Sequence, residues 1–528
     1  MNDSIANIAP DTTSGTQEFR SQVGHISRQS GVFFAGTVFT ACLGYLFKVY
    51  LARVLGAEDL GVFALGVTLI GFIGIFNTLG LSQSAVRFVA EYQARKEFKE
   101  LHALLWRGAG LLLATNVILA VVLLIFGRFV AVSFYHSPRL VKFLPFFAVL
   151  MLFNVLGGFY GKVLAGYRDV KLRTLIVNFF GSPLQMLLAI LLISAGMGLA
   201  GYILAQIITA VVGFVLLLWA VRKFTPPTAR FSALPGAFPK REVWSFSAAM
   251  VGLSVAEFAI SQADRVALGI YRSAREVGVY SVASAVVVYV PLVLSSINQI
   301  FGPTIADLHT RGERALLGRL FQSLTKWIIA LTMPLALVII VLARPLMRIF
   351  GPDFEAGWPI LVIGTLGQLV NCGVGSVGYL LLMSGNEGRL MKVQVSMSLV
   401  MLALSAALVP IWGMSGAALA AALTNAGSNA WNLLQVRKAL GLSPYNRGYL
   451  QLILPTVTVL ALTLVFKKYL HIFHHDWIAV AVALVSAYAV FATIVLRSVL
   501  DADDRLVATA IWSRVRGAFT GLRTNGEA

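Results

Sequence analysis

The chain has 528 residues, of which 58% are hydrophobic and only 12% charged, and its mean hydropathy is +0.81. About a quarter of a soluble globular chain is charged, so composition excludes a water-soluble enzyme and predicts an all-α integral membrane protein. The net charge of +19 raises nucleic acid as a partner, but the basic residues are spread over short loops without aromatic interleaving, so no nucleic-acid partner is expected.

The first residues, 1–28, are polar and lack the apolar core and cleavage site of a signal peptide. They read as a disordered cytoplasmic tail. A bilayer core about 30 Å thick needs about 20 apolar residues per helix. Such windows fall at 31–51, 60–82, 104–126, 143–165, 174–195 and 199–221, predicting a first lobe of six helices over 29–222. A Pro-rich cytoplasmic linker follows at 223–242, with Pro226, Pro227, Pro235 and Pro239. Windows at 243–263, 277–301, 323–343, 357–383, 390–411 and 414–436 predict a second lobe over 243–438. Two further windows, 450–466 and 477–497, fall in 439–500, and residues 501–528 read as a cytoplasmic tail. The sum is 14 transmembrane helices, two pseudo-symmetric six-helix lobes plus two C-terminal helices. Pro183, Pro291 and Pro334 lie inside windows, and Pro455 interrupts the shortest one.

Orientation follows from Lys and Arg. With the N-terminus inside, and with Arg107, Lys326, Lys392 and Arg497 at window ends counted to the adjoining segments, 29 of the 42 lie in cytoplasmic segments, 11 in outer loops, and two, Lys48 and Lys162, within helices. This bias predicts both termini in the cytoplasm of a multi-pass inner-membrane protein, with the excess charge facing anionic lipid.

The stretch LARVLGAEDLGVFALG, residues 51–66, returns in altered form as ADRVALGIYRSAREVGVYSVA, residues 263–283. Gly61 and Gly278 are 217 positions apart, as are Gly161 and Gly378. The glycine turns GMGLAG at 196–201 and GMSG at 413–416 also pair. Such a period means two related halves. On the Arg-Val and Leu-Gly matches, Arg53 aligns with Arg265, while Lys162 aligns with Tyr379.

Built-in chemistry is missing from the sequence. GFYGKV at 158–163 has a Gly-Lys but not the spacing or the Ser/Thr of a phosphate-binding loop. No HExxH, no nucleophile elbow and no His/Cys cluster occurs, so neither cofactor nor metal is expected. Cys42 and Cys372 lie in apolar windows and read as small packing residues. The reading is a translocator, not an enzyme, driven by an ion gradient, membrane potential or consumption of its cargo.

Ionisable residues in apolar windows cost about 2.5–3.5 kcal/mol or more at the bilayer centre, so they mark a path or a satisfied contact. Glu257 is the deepest, with Asp264 two turns further on the same face. This pair is the coupling or gating candidate, set against an interhelical hydrogen bond at Glu257 and a structural Asp264–Arg265 ion pair at the outer surface. Lys48 and Lys162 are candidates for a cationic cavity that attracts a diphosphate, set against snorkelling to an interface. Arg87 is either a phosphate contact or an inner-side anchor. The amides Asn77, Asn154, Asn178 and Gln185 are candidates for sugar-hydroxyl partners or for helix–helix hydrogen bonds.

LARVLGAEDLGVFALG, followed by TLGLSQSAVRFVAEY at 78–92, resembles the opening of the oligosaccharide flippases of bacterial polysaccharide biosynthesis, the O-antigen or Wzx-like group. The second stretch resembles the start of that family's second half. The resemblance covers about residues 25 to 500. It implies the MATE-like superfamily fold, a V-shaped pair of lobes with a central cavity and alternating access. It also implies an undecaprenyl-diphosphate-linked oligosaccharide as cargo, H+ or Na+ as coupling ions, and polymerase or glycosyltransferase partners. Lipid II flippases carry functional cations in their first helix. Only Lys48 can be carried over from them, since Thr40 and Phe47 are uncharged, which places a lipid II flippase second. A MATE-like drug or cation antiporter and a structural scaffold are rival functions.

Overall fold

The structure, a computed structural model, describes residues 12–167, 169–225, 241–470, 473 and 475–498. Most of the expected linker and all of the expected C-terminal tail lie outside the described residues. The first helix is continuous from Thr12, within the stretch expected to be a tail.

Among the described residues, ten helices are long and apolar enough to cross a bilayer, or eleven if Ala274–Val287 and Leu292–Gln299, bent by 53°, form one crossing. Fourteen separate helices are therefore not what is seen. Three pairs of predicted windows run together, in Thr12–Asn77, Leu172–Phe224 and Glu387–Leu440. A straight 53-residue helix would be about 80 Å long, more than twice the apolar thickness of a bilayer. Glycine resolves this. Gly56 (φ 76°), Gly196 (φ 86°), Gly198 (φ 52°) and Gly413 (φ 55°) leave helical geometry inside the merged segments, in a region that L side chains rarely adopt. At the last break the chain folds back sharply. A Cβ on Gly416 would lie 2.2 Å from the Leu408 carbonyl oxygen, although eight residues of straight helix span about 12 Å.

The backbone refines the internal repeat. Gly198 has φ 52° and ψ −132°, and Gly413 has φ 55° and ψ −130°. Three residues later, Gly201 and Gly416 both meet the preceding arm, at Leu192 and Leu408. Gly413 therefore matches Gly198, not Gly196 as residue identity suggests. GMGLAG holds two extra residues ahead of the shared turn.

By contact the chain forms two compact units. One takes Phe47–Val282 and Met397–Ala421, so helices from both sides of the expected linker share it. Its core is Leu81, Phe88, Leu101, Phe159, Val163 and Val221, among others. Within it, Ser84 and Ser247 share a hydrogen bond of 2.7 Å, and Gly80 (φ 69°) lies against the Ser247 backbone. The other unit takes Met1–Leu46, Ala283–Ser396 and Ala422–Ala528. Its apolar clusters centre on Phe301, Phe321 and Val436 and on Ile328, Leu342 and Phe491. The ion pair Arg348–Asp476, at 3.0 Å, fastens the last helix to that unit.

The prolines sit where a missing N–H is tolerated. Pro183 and Pro455 fall in the first turns of Ser182–Leu192 and Ile453–Lys468, and Pro291 falls at the 53° bend. Pro455 therefore starts its helix instead of interrupting it. Pro334 lies mid-helix, in Arg314–Val341, and Pro183 follows the π-helical stretch Leu175–Gly181 inside the merged segment.

Candidate functional site

The two copies of the repeated stretch meet each other inside the first unit. A Cβ on Gly61 would lie 1.7 Å from the Ala274 carbonyl oxygen, and one on Gly278 would lie 1.8 Å from the Ala57 carbonyl oxygen. Gly61 and Gly278 differ by 217 positions, and so do Ala57 and Ala274. Residue i touches j and the mate of j touches the mate of i, which is the signature of a local two-fold axis. Backbone-to-backbone contact of this kind needs glycine at both positions, because any side chain would occupy the space of a carbonyl.

The helix breaks obey the same offset. The first copy leaves helical geometry at Gly56, and the second breaks after Tyr271, before Ala274. Counting back from these breaks pairs Lys48 with Arg265, 217 positions later, instead of Arg53 with Arg265. Both side chains are half-buried, and the charge of Arg265 acts on Lys48. Arg265 Nη1 donates to Gln262 Oε1 at 2.8 Å, while its Nε is buried without a hydrogen-bond partner. The two repeats thus carry like charges at equivalent positions, on helices that composition places in lipid. Repulsion there favours a bound anion.

Asp264 lies beside this pair but is buried, at 7% exposure. Its carboxylate accepts a hydrogen bond from the Tyr280 hydroxyl and one of 2.8 Å from the Arg265 backbone N–H. Hydropathy places Asp264 and Arg265 at the outer surface, but the helix runs on to Tyr271 and takes both inside. Glu257 is exposed on that same helix. Its neighbour Phe258 packs on Phe72 at 5.7 Å. The two acids therefore share a helix but differ in environment.

Lys162 is half-buried in Leu144–Gly166, with the Arg173 side chain lying against the adjacent Gly161. Arg87 is exposed, stacks over Phe88 and Phe246 at 5.3 and 5.2 Å, and reaches Glu91 at 3.9 Å. Those contacts suit an anchor between two helices. Asn77 is buried, and its backbone carbonyl accepts from Asn116 Nδ2 at 3.0 Å. Its own side-chain oxygen has no partner in the structure. Asn154 and Asn178 are exposed and Gln185 is half-buried. Asn178 sits in the π-helical stretch Leu175–Gly181, a geometry common at functional sites. The geometry brings Lys48, Arg265 and Asp264 together and leaves Glu257 elsewhere on its helix.

Three residues of interest escape a reading of the sequence. Asn116 is fully buried and ties its helix to the end of the first. Lys326, at 4% exposure, lies within Arg314–Val341. Hydropathy ends a window just before Arg265, while Lys326 falls inside the window at 323–343. Tyr280 is identifiable only from the contact it makes.

Comparison with known proteins places this geometry. The chain is 26% identical over 321 residues to the succinoglycan biosynthesis transport protein ExoT of Rhizobium meliloti (strain 1021), covering 59% of this chain and 60% of that relative. It thus spans less than two thirds of the relative's length. In fold it resembles the lipid II flippase MurJ in an inward closed conformation, with a TM-score of 0.67 at 16% identity, over 88% of this chain and 99% of MurJ. It also resembles an inward-facing multidrug resistance MATE family transporter, with a TM-score of 0.63 at 15% identity, over 75% and 94% of the two chains. These relatives are transporters and flippases, not enzymes. The model of the polysaccharide biosynthesis protein family matches residues 26–309, more than half of the chain, and the chain belongs to that family of membrane transporters.

Proposed function

We propose that the protein is a flippase that moves a polyprenyl-diphosphate-linked oligosaccharide from the cytoplasmic to the outer leaflet by alternating access, for cell-surface polysaccharide. The observation that carries this reading is that Lys48 and Arg265, 217 positions apart like Gly61 and Gly278, are both half-buried cations in the unit where the repeats meet. A diphosphate spreads its charge over several oxygens, and a guanidinium beside an ammonium meets it with fork and point-charge donors. Family membership and the succinoglycan transport relative support a glycan cargo.

In this reading each of the three merged helices crosses the membrane twice, giving fourteen crossings with both termini in the cytoplasm. Lys162 and Arg173 form a second basic point on the diphosphate's path, and Arg87 anchors the inner side. Exposed Asn154 and Asn178, half-buried Gln185 and the unpartnered oxygen of Asn77 serve sugar hydroxyls. Glu257, being exposed, exchanges H+ or Na+, while buried Asp264 is engaged by the Tyr280 hydroxyl and the Arg265 backbone N–H. Polymerases and glycosyltransferases would be the natural partners of such a flippase.

The test is leaflet-resolved labelling of the lipid-linked glycan in cells at equal protein levels. Lys48→Ala and Arg265→Ala should each lower flipping about tenfold or more, since charge-assisted hydrogen bonds are worth about 1.5–3 kcal/mol. Glu257→Gln should remove its dependence on the ion gradient. Wild-type flipping in Lys48→Ala/Arg265→Ala sinks the site assignment. Altered drug susceptibility with an intact glycan favours a drug or cation antiporter instead.

A further inference from the structure

A cleft of about 360 Å³ opens between the two ends of the broken helix Glu387–Leu440, lined by Arg389, Lys392, Val393, Trp431 and Gln435. Arg389 Nη1 reaches Gln435 Oε1 at 3.4 Å and spans the two arms. No charged residue lies between Lys392 and Arg437, so the whole interior of this segment suits hydrocarbon and the cations stand at its boundary. Trp431 is a residue type enriched at that boundary. Beside the cleft, Met391, Val395 and Leu434 are 49%, 44% and 52% exposed, an apolar rim that water would not favour. The lining thus combines two cations and an amide with no acidic group, and it borders a lipid-facing surface.

We propose that this cleft is a binding site for the phosphodiester headgroup of an acidic phospholipid. The guanidinium of Arg389 and the ammonium of Lys392 hold the phosphate, Gln435 hydrogen-bonds the headgroup, and the first methylenes of an acyl chain run along Val393 and Trp431. Basic pockets between membrane helices on the cytoplasmic side take such headgroups. A free phosphate offers the same charge but no use for the apolar rim. The proposal does not depend on the identity of the cargo.

The experiment uses the purified full-length protein in detergent. It is exposed to equimolar dioleoyl-phosphatidylglycerol and dioleoyl-phosphatidylcholine, and the retained lipids are counted by native mass spectrometry. Wild type should retain phosphatidylglycerol in preference to phosphatidylcholine, and Arg389→Gln/Lys392→Gln should lower that preference by about fivefold or more. Arg389→Lys should keep most of it. Both cations are exposed, so folding should survive, and a thermal melt checks this. Inorganic phosphate and pyrophosphate at millimolar concentration should leave the bound lipid in place. Displacement by either would show a soluble anion site and overturn the proposal. So would an unchanged lipid preference in the double variant.

Discussion

Replacing Gly61 with Ala should force the two repeat copies apart at their axis. The new Cβ would stand 1.7 Å from the Ala274 carbonyl oxygen and 2.5 Å from its carbon. A comfortable carbon–oxygen contact is about 3.3 Å, so the backbones must separate by about 1.5 Å. No rotamer relieves the clash, because the atoms on the other side belong to the main chain. Overpacking of this kind costs about 1–3 kcal/mol, and in a two-state transporter that energy disfavours the contacting state by about 5- to 150-fold. Gly278→Ala should act alike through the Ala57 oxygen at 1.8 Å. The pair should cost less than the sum, since one separation relieves both contacts. The assay places spin labels at Val54→Cys and Tyr271→Cys in a chain carrying Cys42→Ser and Cys372→Ala. Val54 and Tyr271 are repeat mates and are each 52% exposed. The wild-type background should give a short distance population, and Gly61→Ala should move most molecules to a longer one and slow flipping at least about tenfold. An unchanged distance distribution in Gly61→Ala/Gly278→Ala, with wild-type flipping, would refute the reading of this contact as a closure that must form and break.

Three further outcomes follow from local geometry. Tyr280→Phe removes a donor from buried Asp264 and should lower unfolding stability in detergent by about 1–3 kcal/mol, while Asn in place of Asp264 should lose less in the Tyr280→Phe background than in wild type, by double-mutant cycle. Gly413→Ala puts a side chain at φ 55° with the Arg272 guanidinium 3.1 Å away and should cost about 1–3 kcal/mol, whereas Gly388→Ala, with open space and ordinary helical backbone, should be neutral in the same melt. Arg139→Ala breaks exposed pairs to Glu58 at 2.7 Å and Asp59 at 3.2 Å, so the loss should be under about 1 kcal/mol and should shrink as salt is raised from about 0.05 M to about 0.5 M.

Helix positions were legible because lipid selects long apolar windows, and the family was legible from LARVLGAEDLGVFALG. The breaks at Gly56, Gly198 and Gly413 fall between predicted windows, but the backbone carries each pair as one merged helix, so the structure shows ten or eleven apolar helices among the described residues. A window end also misplaced Arg265, which the structure puts inside a helix that continues to Tyr271. A window ends where charge begins, so a cation inside a helix that continues is assigned to a loop. Burial is also silent in sequence. Glu257 and Asp264 have the same spacing logic, yet one is exposed and the other enclosed by Tyr280, a residue sixteen positions away across a helix break.

The alignment of the halves carries more weight than any single side chain. Matching by residue identity pairs Arg53 with Arg265 and makes both look like rim supports. Matching by the contact and the helix breaks pairs Lys48 with Arg265. Packing symmetry explains why Gly61 and Gly278 are alike, but it does not require two cations to approach each other in a helix interior, where their repulsion costs energy. In the proposed reading, like charge in both copies meets one anion that both halves engage at once. Lys162, whose mate is Tyr379, then belongs off the axis, where only one half meets the ligand.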